Sequence, residues 1–87
     1  MTLSDLPLHA AAVVESVHDT SANDAIARRL RELGFVAGED VRLLARGPVG
    51  SEPLLVQVGF TRFALRRSEA ARVSITVPAG TAAGARP

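Results

Sequence analysis

Apolar and polar residues alternate along four short stretches of this chain. In "VRLLAR", Val41, Leu43 and Ala45 are interleaved with Arg42, Leu44 and Arg46. In "LLVQV", Leu54, Val56 and Val58 share one face, and in "RFALR", Phe63 and Leu65 oppose Arg62, Ala64 and Arg66. In "RVSITV", Val73, Ile75 and Val77 form the apolar set. A period of two is the mark of a strand with one buried face. A further stretch, "HAAAVVESV" (9–17), predicts a strand in which Val13 and Val17 share a face and Val14 points the other way. After it, Ala22, Ile26, Leu30 and Leu33 recur at intervals of three and four, which predicts one face of a helix.

The residues between these stretches supply the stops and turns. Ser21 with Asp24 three positions later resembles a capping box, and Asp24 with Arg28 forms an acid-to-base pair at i,i+4. Gly34 stands where a helix needs a left-handed residue just past its end. Phe35 after it is then placed to touch Leu30. Gly38 in "FVAGED" predicts a tight turn into the next strand. "GPVGSEP" (47–53) reads as loop. "GFT" (59–61) reads as a turn that joins strands 54–58 and 62–66 into a hairpin. "RSEAA" (67–71) suits a single helical turn with Ser68 as its cap. The lead-in "MTLSDLP" offers Leu3 and Leu6 to the body, and "PAGTAAGARP" (78–87) is expected to be a disordered tail. Five short strands with one apolar face each bury those faces best by closing on themselves. The predicted fold is mainly β: a small five-stranded SH3-like barrel, with one α-helix inserted after the first strand and a short helical turn before the last. Residues 1–77 form its single domain.

Composition narrows the function. A chain of 87 residues makes one domain. It has no cysteine, so it forms no disulfide and presents no thiolate. Its longest apolar run, Ala10 to Val14, is far short of the roughly 20 residues that cross a bilayer. These features predict a cytoplasmic protein with no membrane insertion. Ten arginines and no lysine face nine acidic residues, for a net charge of +1. That charge is too small for a general nucleic-acid binder. Three Phe with no Tyr or Trp provide no platform for stacking bases.

Catalytic chemistry finds no support. Ser16, His18 and Asp19 are close in sequence, but neighbours on a strand point to opposite faces, so they predict no catalytic group. No glycine-rich phosphate loop is present and no cofactor is implied. A divalent ion would find only His9, His18 and Asp19 as surface ligands, where a closed site wants four. No preformed metal site is expected, and any well-ordered ion would be shared between molecules. Arg42, Arg46, Arg62, Arg66, Arg67 and Arg72 fall on or beside strands, either as a solubilising exterior or as a docking surface for an acidic partner. Phe60, at a hairpin tip, favours docking. The predicted partner-binding set is Phe60, Arg46, Pro48, Val49 and Arg62. The helix face carrying Arg28 and Arg31 is the alternative.

"LGFVAGEDV", the "RGPVG" loop and "ALRRSEA" ahead of a final "V-x-I" strand occur here in that order. In that order and spacing they resemble the FeoA family, accessory proteins of bacterial ferrous-iron uptake, over residues 3–77. One departure is in the lead-in. The family usually has Leu-x-x-Gly ahead of the first strand, whereas this chain reads "LPLHAA", with His9 near the glycine position. The resemblance implies an SH3-like barrel, a cytoplasmic location, and partnership with FeoB, the membrane permease that carries a GTP-binding domain. The same module is found fused at the C-terminus of metal-dependent repressors of the diphtheria-toxin-regulator type. This chain starts at Met1 with no DNA-reading region ahead of the barrel, so a free-standing accessory protein is the expectation. The competing function is a nucleic-acid or ribosome-associated SH3-like module, whose binding would fall steeply with salt.

Overall fold

The computed structural model describes residues 1–78. All of the segment expected to be a disordered tail, except Pro78, lies outside the described residues. A 3₁₀ turn (Leu3–Asp5) leads into β1 (Ala11–Val17), α1 (Ala25–Leu33), β2 (Asp40–Val49), β3 (Glu52–Val58), β4 (Thr61–Leu65), α2 (Arg67–Ala70) and β5 (Val73–Thr76). The strands form one antiparallel sheet in the order β4-β3-β2-β1-β5. Its concave face holds the core, in which Leu3, Leu6, Val14, Phe35, Leu43, Leu54, Val56 and Val73 are the largest fully buried side chains. The lead-in leucines are therefore part of the core itself.

Irregularities in β1 and β2 bend this sheet, and each revises the sequence expectation. In β1, Val14 pairs with Ile75 and Ser16 with Ser74, so Glu15 is an extra residue. Such a bulge advances the side-chain alternation by one place. Val14 and Val17 are consequently both buried, while Val13 is only half-buried. The expectation that Val13 pairs with Val17, against Val14, fails for that reason. In β2, Leu43 pairs with Val56 and Ala45 with Leu55, so Leu44 is extra and Ala45 is exposed instead of inward. The predicted loop 47–53 is in fact the end of a hairpin. Val49 pairs with Glu52, and the turn between them is Gly50–Ser51. The inward faces expected of β3 and β4 are observed, with Phe63 half-buried. In β5, Val73 and Ile75 face inward as expected, while Val77 lies beyond the strand and is half-buried.

The helix starts later than its periodicity suggests. Its N-cap is Asp24, whose Oδ1 accepts the backbone N–H groups of Ile26 and Ala27 at 3.1 and 3.3 Å. Ser21 is not the cap and Ala22 lies outside the helix. The buried face is Ala27 and Leu30 with Leu33 partly covered, while Ile26 is 38% exposed. The C-terminal end forms as the sequence predicts. Gly34 takes φ 119°, its N–H donates to Arg31 O at 3.2 Å, and Phe35 N–H donates to Leu30 O at 3.1 Å. This is the Schellman arrangement, and it drives Phe35 into the core. At α2 the N-cap is Arg66, not Ser68. The Glu69 carboxylate reaches back to accept the Arg66 N–H at 2.7 Å.

Candidate interaction surface

The β3–β4 hairpin displays Phe60. Val58 and Thr61 close a two-residue turn, Gly59–Phe60. Gly59 has φ 57° at the first central position, where a type II′ turn needs a positive value that other residues resist. Phe60 follows it at the tip and is completely exposed (104%). Gln57, which the sequence pattern does not single out, braces the tip. Its Nε2 donates to Gly59 O at 3.2 Å, and its Oε1 accepts from Arg62 Nε at 3.2 Å. Arg62 is thereby held on the same hairpin arm as Phe60.

The other members of the predicted set lie elsewhere. Pro48 and Val49 are exposed on the β2–β3 hairpin, with Val49 at 78%. That hairpin joins the opposite end of β3, and seven strand residues at about 3.3 Å each separate the two tips by roughly 20 Å. Arg46 sits toward the Val49 end, opposite Leu54, and its Nη2 donates to Leu6 O at 3.0 Å. Its guanidinium anchors the N-terminal segment. The set therefore divides into a Phe60–Arg62 patch and a separate Pro48–Val49 tip.

The histidines are also apart. His9 precedes β1, has φ 66° and donates its N–H to Leu43 O at 2.7 Å. His18 follows the other end of β1, with Nε2 2.5 Å from Ser74 Oγ. Asp19 is engaged by Arg31, whose Nη2 lies 2.6 Å from Asp19 Oδ1 and 2.8 Å from Val17 O. Among the described residues, no group of three or more His, Cys, Asp or Glu side chains is placed to hold a metal ion.

Of the arginines taken as outward, Arg72 is an interior tie. Its Nε donates to Asp24 Oδ2 at 2.8 Å, and both side chains are largely buried. The same Asp24 oxygen accepts from Thr20 N–H and Thr20 Oγ1. The remaining Arg72 nitrogens reach Ser68 O and Thr20 Oγ1. The expected Asp24–Arg28 pair does not form, and Arg28 donates instead to Asn23 Oδ1. The Arg72 guanidinium, with the Thr20 and Ala27 amides, holds the Asp24 carboxyl far below the usual carboxylate range against the opposing effect of burial. This junction locks the start of α1 to the start of β5.

A bent five-stranded antiparallel sheet with a helix after the first strand and a helical turn before the last is an SH3-like domain. Its polar junctions serve the fold, and its two most exposed large apolar side chains, Val49 and Phe60, sit at hairpins. Within that class the chain belongs to the FeoA family, whose FeoA domain profile matches residues 1–77. The crystal structure of Stenotrophomonas maltophilia FeoA complexed with zinc superposes with a TM-score of 0.82 at 78% identity, over 87% of this chain and 89% of that one. That protein is described as a prokaryotic SH3-domain protein and a candidate ferrous iron transport activating factor. The solution structure of Chlorobium tepidum FeoA matches at 34% identity and a TM-score of 0.77, covering 92% of this chain and 72% of the other. T. acidophilum IdeR shares the fold at 18% identity (TM-score 0.69), with 90% of this chain laid on 34% of that one. No match is found among curated proteins. No helix among the described residues is long and apolar enough to cross a membrane.

Proposed function

We propose that this protein is a non-enzymatic accessory component of bacterial ferrous iron uptake and acts in the cytoplasm by contact with the FeoB-type, GTP-binding iron permease. Membership of the FeoA family supplies the process. The observation that carries the mode of action is Phe60, an aromatic side chain held wholly in solvent on a braced turn. Exposed aromatics flanked by arginine are the usual energetic centres of protein interfaces, where truncation costs about 2 kcal/mol or more. Phe60 with Arg62 forms that centre here. Arg46 is removed from it, because its guanidinium is engaged by Leu6 O.

The test is capture of this protein by the immobilised cytosolic portion of the co-encoded permease. Phe60→Ala is expected to weaken capture by about thirtyfold, the equivalent of about 2 kcal/mol, with an unchanged melting midpoint. Arg62→Ala is expected to give a smaller loss that shrinks as salt rises. Undiminished capture of folded Phe60→Ala would remove Phe60 from the contact.

A further inference from the structure

The sheet has two outer edges, and they are treated differently. At β5 the N-terminal segment runs alongside: Thr2 bridges to Ser74, and Ile75 N–H donates to Met1 O at 3.0 Å. The outer edge of β4 has no strand paired with it among the described residues.

The groups that β4 presents there follow from the alternation of an antiparallel ladder. Gly59 N–H donates to Asp40 O on the β2 side at 3.0 Å. The odd-numbered residues of β3 therefore bond to β2 and the even-numbered ones to β4. Leu54, Val56 and Val58 are opposite Leu65, Phe63 and Thr61. That leaves the backbone N–H and C=O of Arg62 and Ala64 directed away from the sheet. Beside this edge, between β4 and α1, runs a groove of about 250 Å³ lined by Ile26, Leu30, Leu33 and Phe63, with Arg29 and Glu69 also on its walls. On the other face of the strand Arg62 and Arg66 are exposed. Glu69, whose carboxylate accepts the Arg66 N–H, keeps its negative charge on the groove wall.

We infer that the outer edge of β4 accepts an extended segment of a partner protein as a sixth strand, and that this segment alternates apolar with acidic residues. Main-chain bonds to Arg62 and Ala64 align it. Its side chains on one face then enter the groove against Ile26, Leu33 and Phe63. Those on the other face, one residue out of phase, meet Arg62 and Arg66. The charge selects this occupant over a second copy of the chain, because edge-to-edge pairing of two β4 strands sets arginine against arginine. The inference concerns this edge and holds whichever protein supplies the segment.

The test titrates the isotope-labelled protein with a short capped peptide alternating glutamate and valine, followed by amide chemical shifts. The expected shifts are confined to β4 and the facing side of α1, and binding weakens with added salt. Ala64→Pro removes an outward N–H that the sheet does not use, a substitution that edge strands tolerate. It is expected to weaken binding by about tenfold or more while the protein stays folded. A peptide N-methylated on its β4-facing residues should fail to bind the unaltered protein, so the test does not depend on the variant folding. Arg62→Glu should lower affinity, and a lysine–valine peptide should not bind. Equal binding of the lysine peptide, or undiminished binding of the N-methylated one, would overturn the proposal. So would shifts at Arg62 and Ala64 that grow with protein concentration when no peptide is present, since a second copy would then be the occupant.

Discussion

Gly34 is the residue on which the end of α1 turns. A Cβ added there would come no closer than 4.0 Å to Val58 Cγ1, so space is available. The backbone, at φ 119°, is what excludes other residues. Gly34→Val is therefore expected to cost roughly 1–2 kcal/mol or more in denaturant unfolding, because strain at this position also pulls Phe35 from its Schellman contact. Asp24 matters through charge. Its folded-state pKa lies below its unfolded value, so its contribution to stability is fully present above about pH 4. As pH falls further, the unfolded chain takes up a proton that the folded chain resists, and the contribution is progressively lost. Asp24→Asn should lower the melting midpoint near neutral pH, and the gap to the unaltered protein should narrow in acid. A gap that stays constant down to acid pH would show that the carboxylate charge is not what holds the junction.

At the scale of an element, β1 shows how one extra residue re-sorts a strand. Glu15 occupies the bulge, so Val14 rather than Val13 reaches the core. Val14→Ala is expected to cost about 2 kcal/mol, from lost burial and the cavity it leaves. Val13→Thr should stay within about 0.5 kcal/mol, as substitutions away from the core do. Thermal unfolding of the two variants distinguishes this bulged strand from a regular one, in which the order would be reversed. The bulges at Glu15 and Leu44 also give the sheet its curvature, letting five short strands enclose Phe35, Leu43 and Val56.

Across the whole molecule, metal-binding groups are spread rather than gathered. His9 and His18 flank opposite ends of β1, and Asp19 is paired with Arg31. We expect divalent cations to bind this protein weakly, with any well-ordered ion bridging two copies through one or two side chains of each. Calorimetry with zinc should give no tight one-to-one site. A tight site that persisted in His18→Ala would show ligands converging within one chain.

Much of this architecture can be read from the chain, because its cues act over a few residues. Alternation at 54–58 and 62–65, the Gly34–Phe35 helix stop and a hairpin turn bearing Phe60 each rest on contacts between near neighbours and are present, although Thr61, read as part of the turn, opens β4 and Arg66, read as strand, caps α2. Membership of the FeoA family is legible for the same reason, since its motifs are the punctuation of this fold. Bulges are different. Whether Val13 or Val14 faces inward depends on how β1 aligns with β5, some sixty positions away, and no local pattern records that register. The same holds for Arg72, which reads as one more surface arginine until folding brings it 2.8 Å from Asp24. It holds also for the predicted partner-binding set, where Phe60 and Val49 are close in the chain yet occupy opposite ends of one strand. The sequence by itself determined which residues can be buried and where the chain can turn, because burial and backbone preference are properties of residues. Tertiary structure decided which charges are consumed in the interior and which sheet edge stays open, because both follow from the pairing of distant segments.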